Sequence, residues 1–230
     1  MVFDFYNKFI FQHIFKNGGT SVTNALQSYR IPDQEILSTW VNKKDHVSQG
    51  NALALEFGNN HIVFDQFHAI WPKFNFDEYF KFCFVRNTYE WVISGYKYCC
   101  GFNYFKNYPE NIKIEKAKEF TLEFYIKNWI LPDYSQWDFM TFKGNLIMDY
   151  IGRFENLQED FNKITDIIGL PRKTLNRLNP GDQVQFVLPE IAEKANQHYS
   201  LWYNDELLEL VTKYAKKEID YFNFKFEDKR

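Results

Sequence analysis

A short apolar run that ends at two glycines constrains the fold of this chain more than any other feature. The run Phe9–Phe15 is rich in residues that favour strands, and the Asn-Gly-Gly sequence at 17–19 closes it with a tight turn. Apolar residues then recur three and four positions apart over residues 22–29, which predicts a helix with Thr20 or Ser21 as its N-cap. The sequence therefore predicts a buried strand, a glycine loop and a helix in direct succession.

The same succession of strand and helix recurs along the chain. Residues Phe80–Asn87 form the clearest predicted strand, and a helix is predicted over 89–98. Further strands are predicted at His61–Phe64 and at about 146–151, the latter followed by a helix from Glu155. Helical periodicity is also present at 112–129, 189–198 and 205–221. The alternation predicts an α/β fold with a mainly parallel central sheet flanked by helices.

The composition excludes several classes of protein. Apolar residues make up 45% of the chain and the formal net charge is −3, so disorder and bulk nucleic-acid binding are not expected. No apolar run approaches the length of a spanning helix, and residues 1–15 lack the pattern of a signal peptide. Three cysteines do not indicate a disulfide framework. We expect a soluble, cytoplasmic, single-domain protein over residues 1–230, with no nucleic-acid partner and no membrane span.

The glycine loop predicts an anion-binding site. Ligands of such sheets bind beyond the carboxyl ends of the strands, and the N–H groups of a helix start can hold an anion. Lys16, Thr20 and Ser21 add a positive charge and two hydroxyls at that position. The Walker pattern of kinases is absent, because Lys16 precedes the glycine pair. An ordinary Gly-Gly turn with a hydroxyl cap is the alternative.

The second predicted junction carries an arginine. Arg86 falls at the carboxyl end of its strand, and Ser94 lies eight residues later in the following helix. Both side chains could contact one anionic group, whereas a kinase typically has an acidic, Mg²⁺-holding residue at such a strand end. The alternative is an arginine that pairs with Glu90 four residues later.

These segments resemble a known enzyme family. The sequence HIFKNGGTS at 13–21 resembles the HIPKTGGTS loop of sulfotransferases that use 3′-phosphoadenosine 5′-phosphosulfate (PAPS), in particular carbohydrate sulfotransferases. The sequence FVRNTYEWVISGY at 84–96 resembles their second motif, VRdPyeRxxSxY, and residues 150–161 and the closing helix resemble later segments. The resemblance spans about Phe9 to Phe226 and implies a P-loop-like sulfotransferase fold, with PAPS as donor, adenosine 3′,5′-bisphosphate as product and no metal site.

The resemblance implies roles for individual residues. Lys16 matches the lysine that contacts the transferring sulfate and the leaving phosphate, and Arg86 and Ser94 match the pair that binds the 3′-phosphate. The 5′-phosphosulfate loop corresponds to Lys16, Asn17, Gly18, Gly19, Thr20 and Ser21. The chain departs from the family pattern at Phe15, where proline is usual, and at Asn87-Thr88, where Asp-Pro is usual.

Sulfuryl transfer needs a base for the proton of the acceptor hydroxyl, and a neutral histidine suits that task near pH 7. His68, in FDQFHAIW after the second predicted strand, resembles the histidine that these enzymes carry between the two cofactor motifs. The other histidines are assigned to packing or to the surface: His13, His61, His46 and His198. Glu90 and Glu155 are the alternative bases.

The sequence thus predicts a sulfotransferase that sulfates a hydroxyl on a carbohydrate, with Lys16 and His68 as catalytic residues. The alternatives are a P-loop kinase, which would require Mg²⁺, and a non-catalytic phosphonucleotide-binding module. Family members in animal cells usually carry a Golgi anchor, so the predicted absence of an anchor favours a bacterial or viral enzyme. The acceptor itself and the oligomeric state are left open.

Overall fold

The computed structural model describes residues 1–4, 7–29, 36–38, 61–132, 134–177 and 184–230. His46 lies outside the described residues. The strands are β1 Val2–Asp4, β2 Phe9–Gln12, β3 Ile36–Ser38, β4 Phe80–Val85, β5 Thr141–Phe142, β6 Asn145–Leu146 and β7 Tyr150–Arg153. The α-helices are α1 Gly19–Gln27, α2 Phe64–Ile70, α3 Thr88–Cys99, α4 Phe102–Phe105, α5 Glu110–Glu119, α6 Leu122–Tyr125, α7 Gln136–Met140, α8 Leu157–Ile167, α9 Pro189–Lys194, α10 Asp205–Tyr214 and α11 Lys216–Phe222.

Within the described residues, the central sheet has five strands in the order β3-β1-β2-β4-β7. Strands β2, β4 and β7 are parallel, and β1 is antiparallel to both β2 and β3. Gln12 lies opposite Cys83 and Val85 lies opposite Arg153, so the carboxyl ends of the three parallel strands meet at one edge. The predicted α/β fold with a mainly parallel central sheet flanked by helices is confirmed.

The chain divides into two compact units. The first comprises Met1–Arg86 and Asp138–Leu178, and the second comprises Asn87–Trp137 and Asn179–Arg230. That the 230 residues form one domain stays a prediction.

In the first unit, helices cover both faces of the sheet. Successive residues of a strand point to opposite faces, and the side chains of β2 follow that rule. Phe9 and Phe11 pack with side chains of α1 and α8, whereas Ile10 packs with Phe64 and Phe67 of α2 on the other face. Both faces are therefore closed by apolar packing, which leaves the strand ends as the exposed edge of the parallel strands.

The predicted strand at His61–Phe64 is wrong, because helix α2 begins at Phe64. The apolar run is so short that its pattern fits a strand and the start of a helix equally well. The side chains of Phe64 and Phe67 are three residues apart and both fully buried, as one face of a helix requires.

Among the described helices, none is long and apolar enough to cross a bilayer.

A buried carboxylate joins three elements of the second unit. Glu218 of α11 is completely buried and accepts hydrogen bonds from Thr88 Oγ1, from Gln136 Nε2 at 3.1 Å and from the Trp137 backbone N–H at 3.0 Å. Thr88 is the first residue of α3, and Gln136 is the first residue of α7. Glu218 therefore fixes the starts of both helices against α11.

We expect the Glu218→Ala variant to lose about 3 kcal/mol or more of unfolding free energy, because three donors, two of them on buried residues, would lose their acceptor. Glu209→Ala is the matched control on the exposed face of α10 and should change stability by less than about 0.5 kcal/mol. Urea denaturation of both variants measures the difference. A small and equal loss in the two variants would contradict the stabilising role of Glu218.

Candidate functional site

The loop between β2 and α1 turns through two residues of left-handed conformation. Lys16 has φ of 63° and Gly18 has φ of 75°. Gly18 is the N-cap of α1, no side chain within the described residues caps the helix, and the predicted capping by Thr20 or Ser21 is therefore wrong. Both hydroxyl residues lie instead in the first turn of α1.

The loop presents backbone N–H groups at the edge of the sheet. The first hydrogen bond of α1 runs from the Val22 N–H to the Gly18 carbonyl at 3.2 Å. The N–H groups of Gly19, Thr20 and Ser21 come before this hydrogen bond. The first N–H groups of any helix have no acceptor within the helix itself. Together with the helix dipole and the Lys16 ammonium, they form a positive region that suits an anion.

Close packing explains both glycines of the loop. A Cβ atom on Gly18 would lie 2.7 Å from Leu157 Cδ2 of α8, and its left-handed φ already disfavours other residues. A Cβ atom on Gly19 would overlap the imidazole ring of His13. The loop therefore tolerates no side chain at these two positions, because Leu157 and His13 fill the space that a side chain would need.

Asn17 ties the loop to the neighbouring strand. Its side chain is 1% exposed, and Nδ2 donates to the Phe84 carbonyl of β4 at 2.8 Å. Phe84 precedes Arg86 by two residues, so the same hydrogen bond fixes the loop relative to the end of β4. The sequence placed Asn17 among the cofactor-binding residues, and its amide contacts the strand.

Arg86 directly follows β4, beside the loop, in the first unit. Its guanidinium carbon lies 4.4 Å from the ring centroid of Phe154, which follows β7. Ser94 lies within α3 in the second unit. The first unit thus brings the loop and Arg86 to one edge of the sheet, and the pairing of Arg86 with Ser94 stays a prediction from the sequence.

His61 lies beside the loop, where sequence reasoning had assigned it only a packing role. Its ring centroid lies 5.7 Å from that of Phe15 and 4.8 Å from that of His13, and its Nδ1 lies 3.0 Å from the His13 carbonyl oxygen. A carbonyl only accepts, so Nδ1 carries the proton and Nε2 carries the lone pair. Burial lowers the pKa of His61 to about 4, and the nearby charge of Lys16 also acts in that direction.

His13 packs against the loop from the protein interior. The side chain is 4% exposed, stacks on Phe11 and packs against Gly19. Burial, followed by repulsion from His61, holds the pKa of His13 well below its usual range. Its imidazole is therefore neutral near pH 7 and acts as a packing group, in agreement with the packing role assigned from the sequence.

His68 has different surroundings from those expected. It lies in the last turn of α2, and its ring contacts are with Phe142 at 4.9 Å and Phe76 at 6.4 Å between centroids. The sequence placed His68 in a loop after a strand, but the helix turns its side chain toward aromatic residues of the first unit. Of the alternative bases, Glu155 is exposed in the turn after β7, and Glu90 lies in α3 of the second unit.

Comparison with known proteins identifies the family. The sequence model of the sulfotransferase family matches residues 1–225. The chain belongs to the sulfotransferase family. It is 34% identical over 106 residues to an uncharacterized protein of Archaeoglobus fulgidus, a match that covers 45% of this chain and 79% of that protein. No solved structure matches.

Membership of the sulfotransferase family indicates a sulfuryl-transfer activity. The family transfers a sulfuryl group, which is anionic, and backbone N–H groups at a helix start together with a lysine suit an anion. The parallel strands of this sulfotransferase bring those groups and Arg86 to the same edge. The sequence had identified the two motifs, whereas His61 and Phe154 emerge only from the folded contacts.

The low pKa of His61 predicts a pH dependence of stability in this sulfotransferase. Its folded pKa of about 4 lies below the ordinary value of 6.5, so between these values the unfolded state binds a proton that the folded state does not. Stability should therefore fall as the pH falls through this window, by about 1.4 kcal/mol per pH unit for this group.

The His61→Gln variant should show a slope of unfolding free energy against pH that is shallower by about that amount between pH 6 and pH 5. Above pH 7 both proteins should have flat profiles with respect to this group. Denaturation midpoints over the pH series provide the measurement, and an unchanged slope would show that His61 is protonated in the folded state.

Proposed function

We propose that the chain transfers SO₃⁻ from PAPS to a hydroxyl acceptor, and that the acceptor is a carbohydrate. The observation that carries the proposal is the arrangement of a glycine loop with a lysine and of an arginine at one sheet edge. The loop of Lys16 and Gly18 follows β2, and Arg86 follows β4, which is the parallel neighbour of β2. The resemblance of the loop to that of carbohydrate sulfotransferases supports the acceptor class.

The residues of the first unit fit this donor. PAPS carries a phosphosulfate at one end and a 3′-phosphate at the other, and it supplies a sulfuryl group on a phosphate leaving group. The tight turn at Gly18, with the N–H groups that begin α1, suits the phosphosulfate. The Arg86 guanidinium suits the 3′-phosphate, with Ser94 proposed as its partner from the sequence.

Lys16 and the helix start stabilise negative charge at the leaving oxygens. Lys16 adopts a left-handed backbone conformation that directs the chain into the turn ahead of α1. Its ammonium and the N–H groups are fixed before the reaction, so little reorganisation is needed when charge develops.

We assign the general base to His61 in preference to His68. The hydrogen bond from Nδ1 to the His13 carbonyl fixes the His61 tautomer with its lone pair on Nε2. The lowered pKa keeps His61 neutral in the free protein. An anion bound nearby would raise that pKa, because a negative charge favours the protonated imidazole. His68 instead packs against Phe142 and Phe76.

Nucleotide binding tests the identity of the donor. Adenosine 3′,5′-bisphosphate at about 100 times its dissociation constant should stabilise the fold by about 2.7 kcal/mol. ATP and adenosine 5′-phosphate at the same concentration should stabilise it much less, because neither has a 3′-phosphate for Arg86. Thermal unfolding with each nucleotide measures the effect, and Arg86→Ala is the control that should lose the preference. Equal stabilisation by ATP and the bisphosphate would favour the kinase alternative.

A pair of histidine variants tests the base. His61→Ala should lower the rate of sulfuryl transfer by about 10² to 10⁴, with little change in bisphosphate affinity. His68→Ala should keep most of the activity, because its ring contacts are with aromatic side chains of the first unit. Transfer of labelled sulfate from PAPS to a panel of oligosaccharides provides the rate.

The reverse pattern, with activity lost in His68→Ala and kept in His61→Ala, would return the role to His68. Activity kept in both variants would move it to Glu155 or Glu90.

A further inference from the structure

Phe154 lies between the Gly18 loop and Arg86 in the first unit. It begins the 3₁₀ turn Phe154–Asn156 that follows β7. One side of the residue faces the loop, since a Cβ atom on Gly18 would lie 3.4 Å from Phe154 Cδ2. The Arg86 guanidinium lies over the same ring, with its carbon 4.4 Å from the ring centroid. A single side chain therefore lies next to the loop and contacts the arginine.

The end of β7, which directly precedes Phe154, is held by hydrogen bonds and close packing. The buried carboxylate of Asp160 in α8 accepts from the Arg153 backbone N–H at 2.8 Å and from the Tyr150 hydroxyl at 3.0 Å. Gly152 lies so close to Phe84 that an added Cβ atom would be 2.5 Å from the Phe84 ring. The backbone on the N-terminal side of Phe154 is thus tied to α8 and packed against β4.

An aromatic face constrains an arginine in a particular way. The guanidinium is planar, and stacking on a ring leaves its N–H groups directed outward along the edges of that plane. A stacked arginine keeps its hydrogen-bonding capacity for a phosphate while losing much of its rotational freedom. An aliphatic side chain of similar size would fill the space without holding the plane.

We propose that Phe154 is a positioning residue that orients Arg86 for the 3′-phosphate of the donor and keeps it in register with the Gly18 loop. The proposal rests on the proposed function, because it assumes that the ligand of Arg86 is a 3′-phosphate. It differs from two other roles that an aromatic residue at this place could have, stacking on the adenine base and filling space. Those roles would affect every adenine nucleotide alike.

The test compares two ligands that differ only in the 3′-phosphate, adenosine 3′,5′-bisphosphate and adenosine 5′-phosphate. Phe154→Leu should weaken the bisphosphate by about 3- to 30-fold, the range expected for loss of a cation–π contact, and leave the 5′-phosphate nearly unchanged. Phe154→Tyr keeps the aromatic face and should retain the preference of the unmodified protein. Isothermal titration gives both affinities, and the ratio of the two is the quantity to compare.

A double variant separates action through Arg86 from a direct effect. In the Arg86→Ala background, Phe154→Leu should cause no further change in the ratio, because the stacked group is already gone. Phe154→Met serves as a second apolar replacement if Phe154→Leu does not fold, and the melting temperature of each variant checks the fold.

An equal loss for both ligands, or an unchanged ratio in Phe154→Leu, would overturn the proposal while the proposed function stands. If the unmodified protein itself binds the two nucleotides equally, the proposed function and the role of Phe154 fail together.

Discussion

The parallel pairing of β2 with β4 is the constraint on which the candidate site depends. The pairing sets Gln12 opposite Cys83, so the loop that follows β2 and the arginine that follows β4 leave the sheet at the same edge. The hydrogen bond from Asn17 to the Phe84 carbonyl then fixes the loop to that strand end. A register shift of one residue would move the loop along β4 and turn its side chains to the opposite face.

Burial keeps the two histidines near the loop neutral, so the positive charge there comes from Lys16 and the helix start. His13 and His61 have pKa values lowered by burial, so both are neutral near pH 7 while Lys16 and the helix start remain positive. A neutral imidazole beside a lysine suits a site that must bind an anion and then accept a proton. Charged histidines in the same place would strengthen anion binding but would remove the base that we propose, His61.

The sequence predicted the elements that local patterns specify, and it missed the contacts that only tertiary structure creates. The apolar runs of β2 and β4 and the glycines between β2 and α1 are local signals, and each appears close to where it was expected. The run at His61–Phe64 is too short to separate a strand from a helix start, and β1 pairs with β3, which lies more than thirty residues away. Likewise, Arg86 and Phe154 lie far apart in the chain, so no local sequence motif predicts their contact.

The two departures from the family pattern keep the local structure by other interactions. At Asn87-Thr88, where Asp-Pro is usual, the Asn87 side chain still accepts from the Tyr89 N–H at the start of α3 and donates to the Lys225 carbonyl at 2.9 Å. Proline at the first helical position would restrict the backbone, and Thr88 is instead held by its hydrogen bond to the buried Glu218. At Phe15, the ring packs against His61. The rigidity that proline supplies through a covalent ring is thus supplied here by side-chain contacts, which makes the start of α3 dependent on α11 and the position of His61 dependent on Phe15.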